Sequence, residues 1–75
     1  MKNIRPTYTR PDGATRAILG RDVRKGHVVI LEGDVARRVL SAGQFLKATN
    51  ILRLEGITEG IVIPRNDGIW LGVAA

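Results

Sequence analysis

The chain has 75 residues, with twelve Lys or Arg against seven Asp or Glu, a formal net charge of +5, and no cysteine. A single domain of this size buries only about 60% of its unfolded surface and draws roughly 3–5 kcal/mol of net stability from its own core, so a partner or self-association is the expected further support. The missing cysteines exclude disulfides, thiolate metal sites and thiol chemistry, and no run approaches the roughly 20 apolar residues that span a bilayer.

In chain order, residues 1–13 read as an extended basic arm. Pro6 and Pro11 forbid a regular helix there and bias Arg5 and Arg10 toward extended conformations. No apolar run follows the basic start, so no secretory signal is expected. Pro11-Asp12-Gly13 is a turn signal, and the body, residues 14–75, begins after it. Glycines then punctuate short runs of branched apolar residues, the pattern of short strands joined by turns. A first strand is expected over residues 15–19 and a turn at Arg24-Lys25-Gly26. Residues 27–31, with Val28, Val29, Ile30 and Leu31 in a row, form the clearest buried strand, and Glu32-Gly33-Asp34 reverses the chain.

Residues 35–40 fit a returning strand with Val35, Arg37 and Val39 on one face. They also fit a short helix capped by Asp34 and ended by Gly43. The tight-hairpin chemistry of Gly33-Asp34 favours the strand. Between residues 44 and 54, Phe45, Leu46, Ile51, Leu52 and Leu54 are expected to supply core, with Thr49-Asn50 as a turn or bulge. The final expectation is a hairpin of Ile61-Val62-Ile63 against residues 69–73 around the turn residues Pro64-Arg65-Asn66-Asp67-Gly68. The fold class is therefore mainly β: a small single-domain barrel or roll of about six short strands, with at most one short helix and an extended N-terminal arm. Curling into a roll also limits open sheet edges.

The charge is lopsided. Residues 1–25 hold seven basic side chains (Lys2, Arg5, Arg10, Arg16, Arg21, Arg24 and Lys25) against Asp12 and Asp22, while residues 26–75 hold five basic and five acidic ones. Arginine suits fixed, bidentate contacts with carboxylate or phosphate. The partner-binding residues expected from this pattern are Arg5, Arg10, Arg16, Arg21, Arg24 and Lys25, joined by Tyr8, an aromatic set among prolines and arginines. Trp70 reads either as core of the final hairpin or as an interface anchor, a role in which tryptophan is enriched.

No catalytic constellation emerges. Ser41 and His27 are the only residues of their kinds, and a serine–histidine–carboxylate set would have to borrow Asp22 or Asp34 from turns. Glu55 and Glu59 fall in a glycine-flanked loop, where charges mostly solubilise. Neither the GxGxxG nor the P-loop pattern occurs. His27 alone makes no zinc site. The expectation is a binding protein with no catalytic residues, no cofactor and no metal. Tyr8, Phe45 and Trp70 are the only aromatics, too few for a single-strand stacking platform.

The segment Gly20-Arg21-Asp22-Val23-Arg24-Lys25-Gly26-His27-Val28-Val29-Ile30 resembles the strand–turn–strand of SAF-like β-clip modules. It is also similar to the start of small tailed-phage head-decoration (cement) proteins, whose later Gly-Val-Ala strand Leu71-Gly72-Val73-Ala74-Ala75 resembles. The second resemblance implies a structural accessory subunit that clamps neighbouring capsid subunits in a virion, with self-association into a homo-oligomer. A β-clip module would bind a sugar or a secretion partner instead. The alternative read from charge is a small nucleic-acid-binding barrel gripping phosphates through Arg16, Arg21, Arg24 and Lys25. No membrane partner is expected, and a site outside virions would be cytoplasmic.

Overall fold

The computed structural model describes residues 2–3 as backbone, and residues 10–31 and 35–73 in full. Its strands are β1 (Lys2–Asn3), β2 (Arg16–Leu19), β3 (Val28–Leu31), β4 (Val35–Leu46), β5 (Thr49–Leu54), β6 (Ile61–Pro64) and β7 (Gly68–Leu71). The only helical element among the described residues is a single 3₁₀ turn, Gly20–Asp22, after β2. The strands form one sheet in the order β1-β6-β5-β4-β3-β7-β2. Every pairing is antiparallel except the short parallel ladder of β1 on β6. The fold is thus mainly β, as expected, with one more short strand.

One sheet of this width has no second layer to cover its apolar face, so it covers that face by curling. Alternate residues of β3 to β7 turn inward and meet in a single cluster with Val23. Val23, Val29, Val39, Leu52, Leu54, Ile61 and Ile63 are its most deeply buried members. Residues after β2 close the roll. The Gly20 amide donates to Asp67 O at 2.9 Å and the Arg21 amide to Arg65 O at 3.1 Å. The 3₁₀ turn thus docks on the loop that leaves β6, and Val23 seals that end. Gly20 is there for lack of space: a Cβ at this position would lie 2.0 Å from Pro64 O.

Several turns follow their local chemistry. Gly13, Gly26 and Gly56 all have positive φ, which glycine alone adopts at no steric cost. The Ala14 amide donates to Pro11 O in the first of these turns and the His27 amide to Arg24 O in the second. Residues 35–40 are strand, the first half of β4. Val35, Arg37 and Val39 share its inner face, opposite Leu31 and Val29 of β3, but of the three only Val39 enters the core. The helix reading of this stretch fails because β3 offers it a ladder of four partners.

Four expectations are corrected. First, β6 and β7 do not form a hairpin: β6 pairs with β5 and β1, and β7 with β3 and β2. The turn residues between them carry the chain across the end of the roll, where Gly20 and Arg21 bond to Asp67 and Arg65. Second, Thr49-Asn50 is strand, and the turn is Lys47-Ala48. Thr49 Oγ1 accepts from the Leu46 amide at 3.2 Å. Third, Phe45 and Leu46 are not core; they are 38% and 60% exposed. Fourth, Trp70 is not core, because Ile69 and Leu71 on either side of it point inward. At the front of the chain, Lys2 and Asn3 belong to the sheet and Pro11 is buried. Arg5, Tyr8 and the rest of residues 4–9 lie outside the described residues.

Candidate functional site

An antiparallel sheet with one face in water normally alternates apolar inward and polar outward. The outer face of β2, β7 and β3 does not. Registry places Ala17 opposite Trp70 and Leu19 opposite Gly68. Val29 lies opposite Leu71, which sets Ile30 beside Trp70 in the next row. On β4 the row continues with Ala36 opposite Ile30. Ala17, Leu19, Trp70, Ile30, Val28 and Ala36 therefore form a continuous apolar surface on the side away from the core.

Ile30 is only 5% exposed although it lies outside the core cluster, so side chains on this face pack around it. Gly72 helps: its amide donates to Val28 O at 2.8 Å, and a Cβ there would sit 3.4 Å from Ile30 Cδ1. Trp70, Leu19 and Val28 are half-buried, and Ala17 and Ala36 exposed. The outer face of β5, with Thr49 and Arg53 flanking Ile51, shows the polar pattern this surface lacks.

The charged residues on these strands are all basic: no acidic residue lies on β2, β3, β4 or β7, whereas Arg16, Arg37 and Arg38 do. Arg38, exposed, faces outward opposite Val28; Arg16 and Arg37, opposite Leu71 and Val29, fall in the inward-facing register, and Arg16 and Arg21 stand exposed at the two ends of β2. The described acids, Asp12, Asp22, Glu55, Glu59 and Asp67, sit in turns and loops.

The basic residues expected to act together do not all do so. Arg24 NH1 donates to Arg21 O at 2.7 Å and to Val23 O at 3.1 Å, so its guanidinium ties down the end of the 3₁₀ turn. Arg10 donates to Ala14 O at 2.6 Å and fastens the first turn. Arg16, Arg21 and Lys25 are exposed. Farther along, Arg65 donates to Oδ1 of Asn50 at 2.7 Å, which satisfies the one buried polar side chain among the described residues. Arg37 is half-buried over the β5 exit, with its Nε unpaired and its NH1 2.8 Å from where a Gly56 Cβ would stand.

His27 accepts at Nδ1 from the Arg24 amide at 3.0 Å, which puts its proton on Nε2. This bond makes it a turn residue. Ser41, Glu55 and Glu59 are exposed. Among the described residues no three His, Asp or Glu side chains converge as metal ligands would, and no helix is long and apolar enough to cross a membrane.

Reasoning from the sequence found Trp70 and the basic residues beside it. It missed Ala17, Val28, Ile30 and Ala36 as surface, because an unbroken apolar run such as residues 28–31 reads as buried on both sides. It also missed the exposed leucines of β4. The available signal there was a seven-residue stretch, 40–46, with no charge and no apolar alternation. Compared with protein-family models, curated proteins and solved structures, the chain matches none.

Proposed function

We propose that this chain is an accessory binding subunit that fastens to a larger protein assembly through the outer face of β2, β7 and β3, with Trp70 as its anchor. The observation that carries this reading is the continuous uncharged surface, Ala17, Leu19, Trp70, Ile30, Val28 and Ala36, where a solvated sheet would alternate. Tryptophan in a half-buried setting, ringed by lesser apolar contacts, is the usual composition of a binding hot spot. Arg38 on this face, with Arg16 and Arg21 exposed at the ends of β2, favours an acidic partner surface, and such charges govern encounter rate and orientation more than affinity. The finer form of the proposal is a virion head-decoration protein, in which many copies on a repeating lattice convert modest single contacts into avidity.

A nucleic-acid role is the weaker reading. It needs several free basic groups in one groove, and Arg10 and Arg24 are held by backbone carbonyls. The test isolates the chain from its source together with its neighbours, identifies the stoichiometric partner by cross-linking, and compares the native chain with Trp70→Ser. The expected result is a protein partner whose complex is lost in the variant. Tight binding to generic duplex DNA that collapses between two salt concentrations would support the nucleic-acid reading instead.

A further inference from the structure

β4 is twelve residues long, but β3 covers only its first part. Residues 35–38 pair with β3, and the last bonds on that side join Val39 to His27 and Gly26. From residue 40 to residue 46 the strand pairs on its β5 side, and among the described residues no strand lies along its other edge. Proteins normally blunt such an edge with lysine, proline, inward-pointing charge or β-bulges. Residues 40–46, Leu-Ser-Ala-Gly-Gln-Phe-Leu, carry no charge and no proline, and their two bulges leave the stretch between them regular. They carry three large exposed apolar side chains instead: Leu40 at 47%, Phe45 and Leu46.

We infer that this edge is a site of strand addition by a second copy of the same chain, β4 against β4, antiparallel about a two-fold axis at Gly43. Three features select a second copy over an unrelated strand. An antiparallel pairing about Gly43 sets Leu40 of each copy opposite Leu46 of the other, so the most exposed leucines cover each other; they are equally distant from Gly43 in the chain. The segment is uncharged, so two chains that each carry +5 meet where no like charges face each other across the strands. Gly43 has nothing within 4 Å of where its Cβ would be, so no side chain crowds the sheet face at the axis. The bulges between Val39 and Ser41 and between Gln44 and Leu46 bracket a regular stretch of β4 at the centre. A two-fold contact of this kind closes on itself and stops at the dimer. The main-chain ladder supplies the affinity and the facing leucines the register. The edge lies apart from the Trp70 face, so the dimer leaves that face available, and either reading stands if the other fails.

The test is sedimentation velocity on the full chain over a concentration series, with hydrogen exchange of the backbone amides at both ends of the series. The native chain should move from 8.2 kDa toward twice that mass, with exchange slowing in residues 40–46. Gly43→Arg places two like charges at the axis where nothing in the fold is displaced; it should remain a monomer with an unchanged circular dichroism spectrum. Leu46→Lys tests the same edge from its end and should weaken association at least tenfold. A native chain that stays monomeric throughout overturns the inference. So does a dimer that survives both substitutions, or one whose slowed exchange falls outside residues 40–46.

Discussion

Replacing Gly20 with alanine tests how the roll is closed. The added methyl carbon would lie 2.0 Å from Pro64 O and 3.2 Å from Ile63 Cδ1. A carbon and a carbonyl oxygen approach no closer than about 3.3 Å, so the two segments must separate by more than about 1 Å. That movement strains or breaks the Gly20 to Asp67 and Arg21 to Arg65 hydrogen bonds, which contribute about 0.5–1.5 kcal/mol each. Overpacking beside Ile63 adds about 1–3 kcal/mol. The sum, about 2–6 kcal/mol, is as large as the roughly 3–5 kcal/mol of net stability a core of this size supplies. Gly20→Ala should therefore be largely unfolded at room temperature, as read by a urea titration followed through Trp70 fluorescence and circular dichroism. Gly43→Ala, compared at a concentration where the chain is monomeric, is the control. It sits in a strand with open space around it and should unfold at the same or slightly higher urea, since alanine in a strand interior is favoured by roughly 0.5–1 kcal/mol. If Gly20→Ala unfolds at the same urea concentration as the control, the docking of the 3₁₀ turn on the loop after β6 does not hold the roll shut.

Asn50→Ala removes the acceptor of the Arg65 guanidinium inside the barrel wall and should cost about 1–3 kcal/mol, because a partly buried donor is left unpaired; the shift in urea midpoint measures it. Arg24→Lys keeps the charge but cannot bridge the carbonyls of Arg21 and Val23. It should lose about 0.5–1.5 kcal/mol of stability and bind the partner unchanged, as read by calorimetry on the folded variant. Reduced binding with unchanged stability would return Arg24 to the docking surface.

Much of the architecture could be read from local chemistry. The turns at Gly13, Gly26 and Gly56 need positive φ, and the sequence announces each with glycine among polar neighbours. The β3–β4 reversal was legible from the turn-forming types Glu32-Gly33-Asp34 between two β-prone runs, as was the β class itself, from branched residues between glycines. What was not legible is which strands lie side by side. Residues 64–68 signal a change of direction, and a hairpin is the nearest way to satisfy that signal. The folded chain instead lets β5 and β3 take β6 and β7, and sets the end of β2 against the loop between them. The pairing of β7 with β3 and β2 and the docking of Gly20 on Asp67 join residues over forty positions apart, which local turn chemistry does not encode. The Lys47-Ala48 turn was missed because neither residue is a turn former; its stabilising bond comes from Thr49 Oγ1.

The docking face was half legible. Trp70 stood out by type, but its placement depends on the pleat: Ile69 and Leu71 take the core, and the residue between them must point outward. Phe45 and Leu46 were assigned to the core because they are apolar, yet they follow the point where β4 outruns β3, and among the described residues no element covers them. In both cases hydrophobic character is legible in the sequence and its direction is not, since direction follows from register and register from the whole sheet.

The central claim, docking through Trp70, is tested most directly by measuring occupancy of the native chain and of Trp70→Ser on the purified partner assembly, alongside a melt of each. Trp70 is half-buried and lies outside the core, so the variant should stay folded with a loss of about 1–2 kcal/mol, while loss of a hot-spot anchor of at least about 2 kcal/mol should lower affinity roughly 30-fold. A folded Trp70→Ser chain that occupies the assembly as fully as the native one would contradict the account.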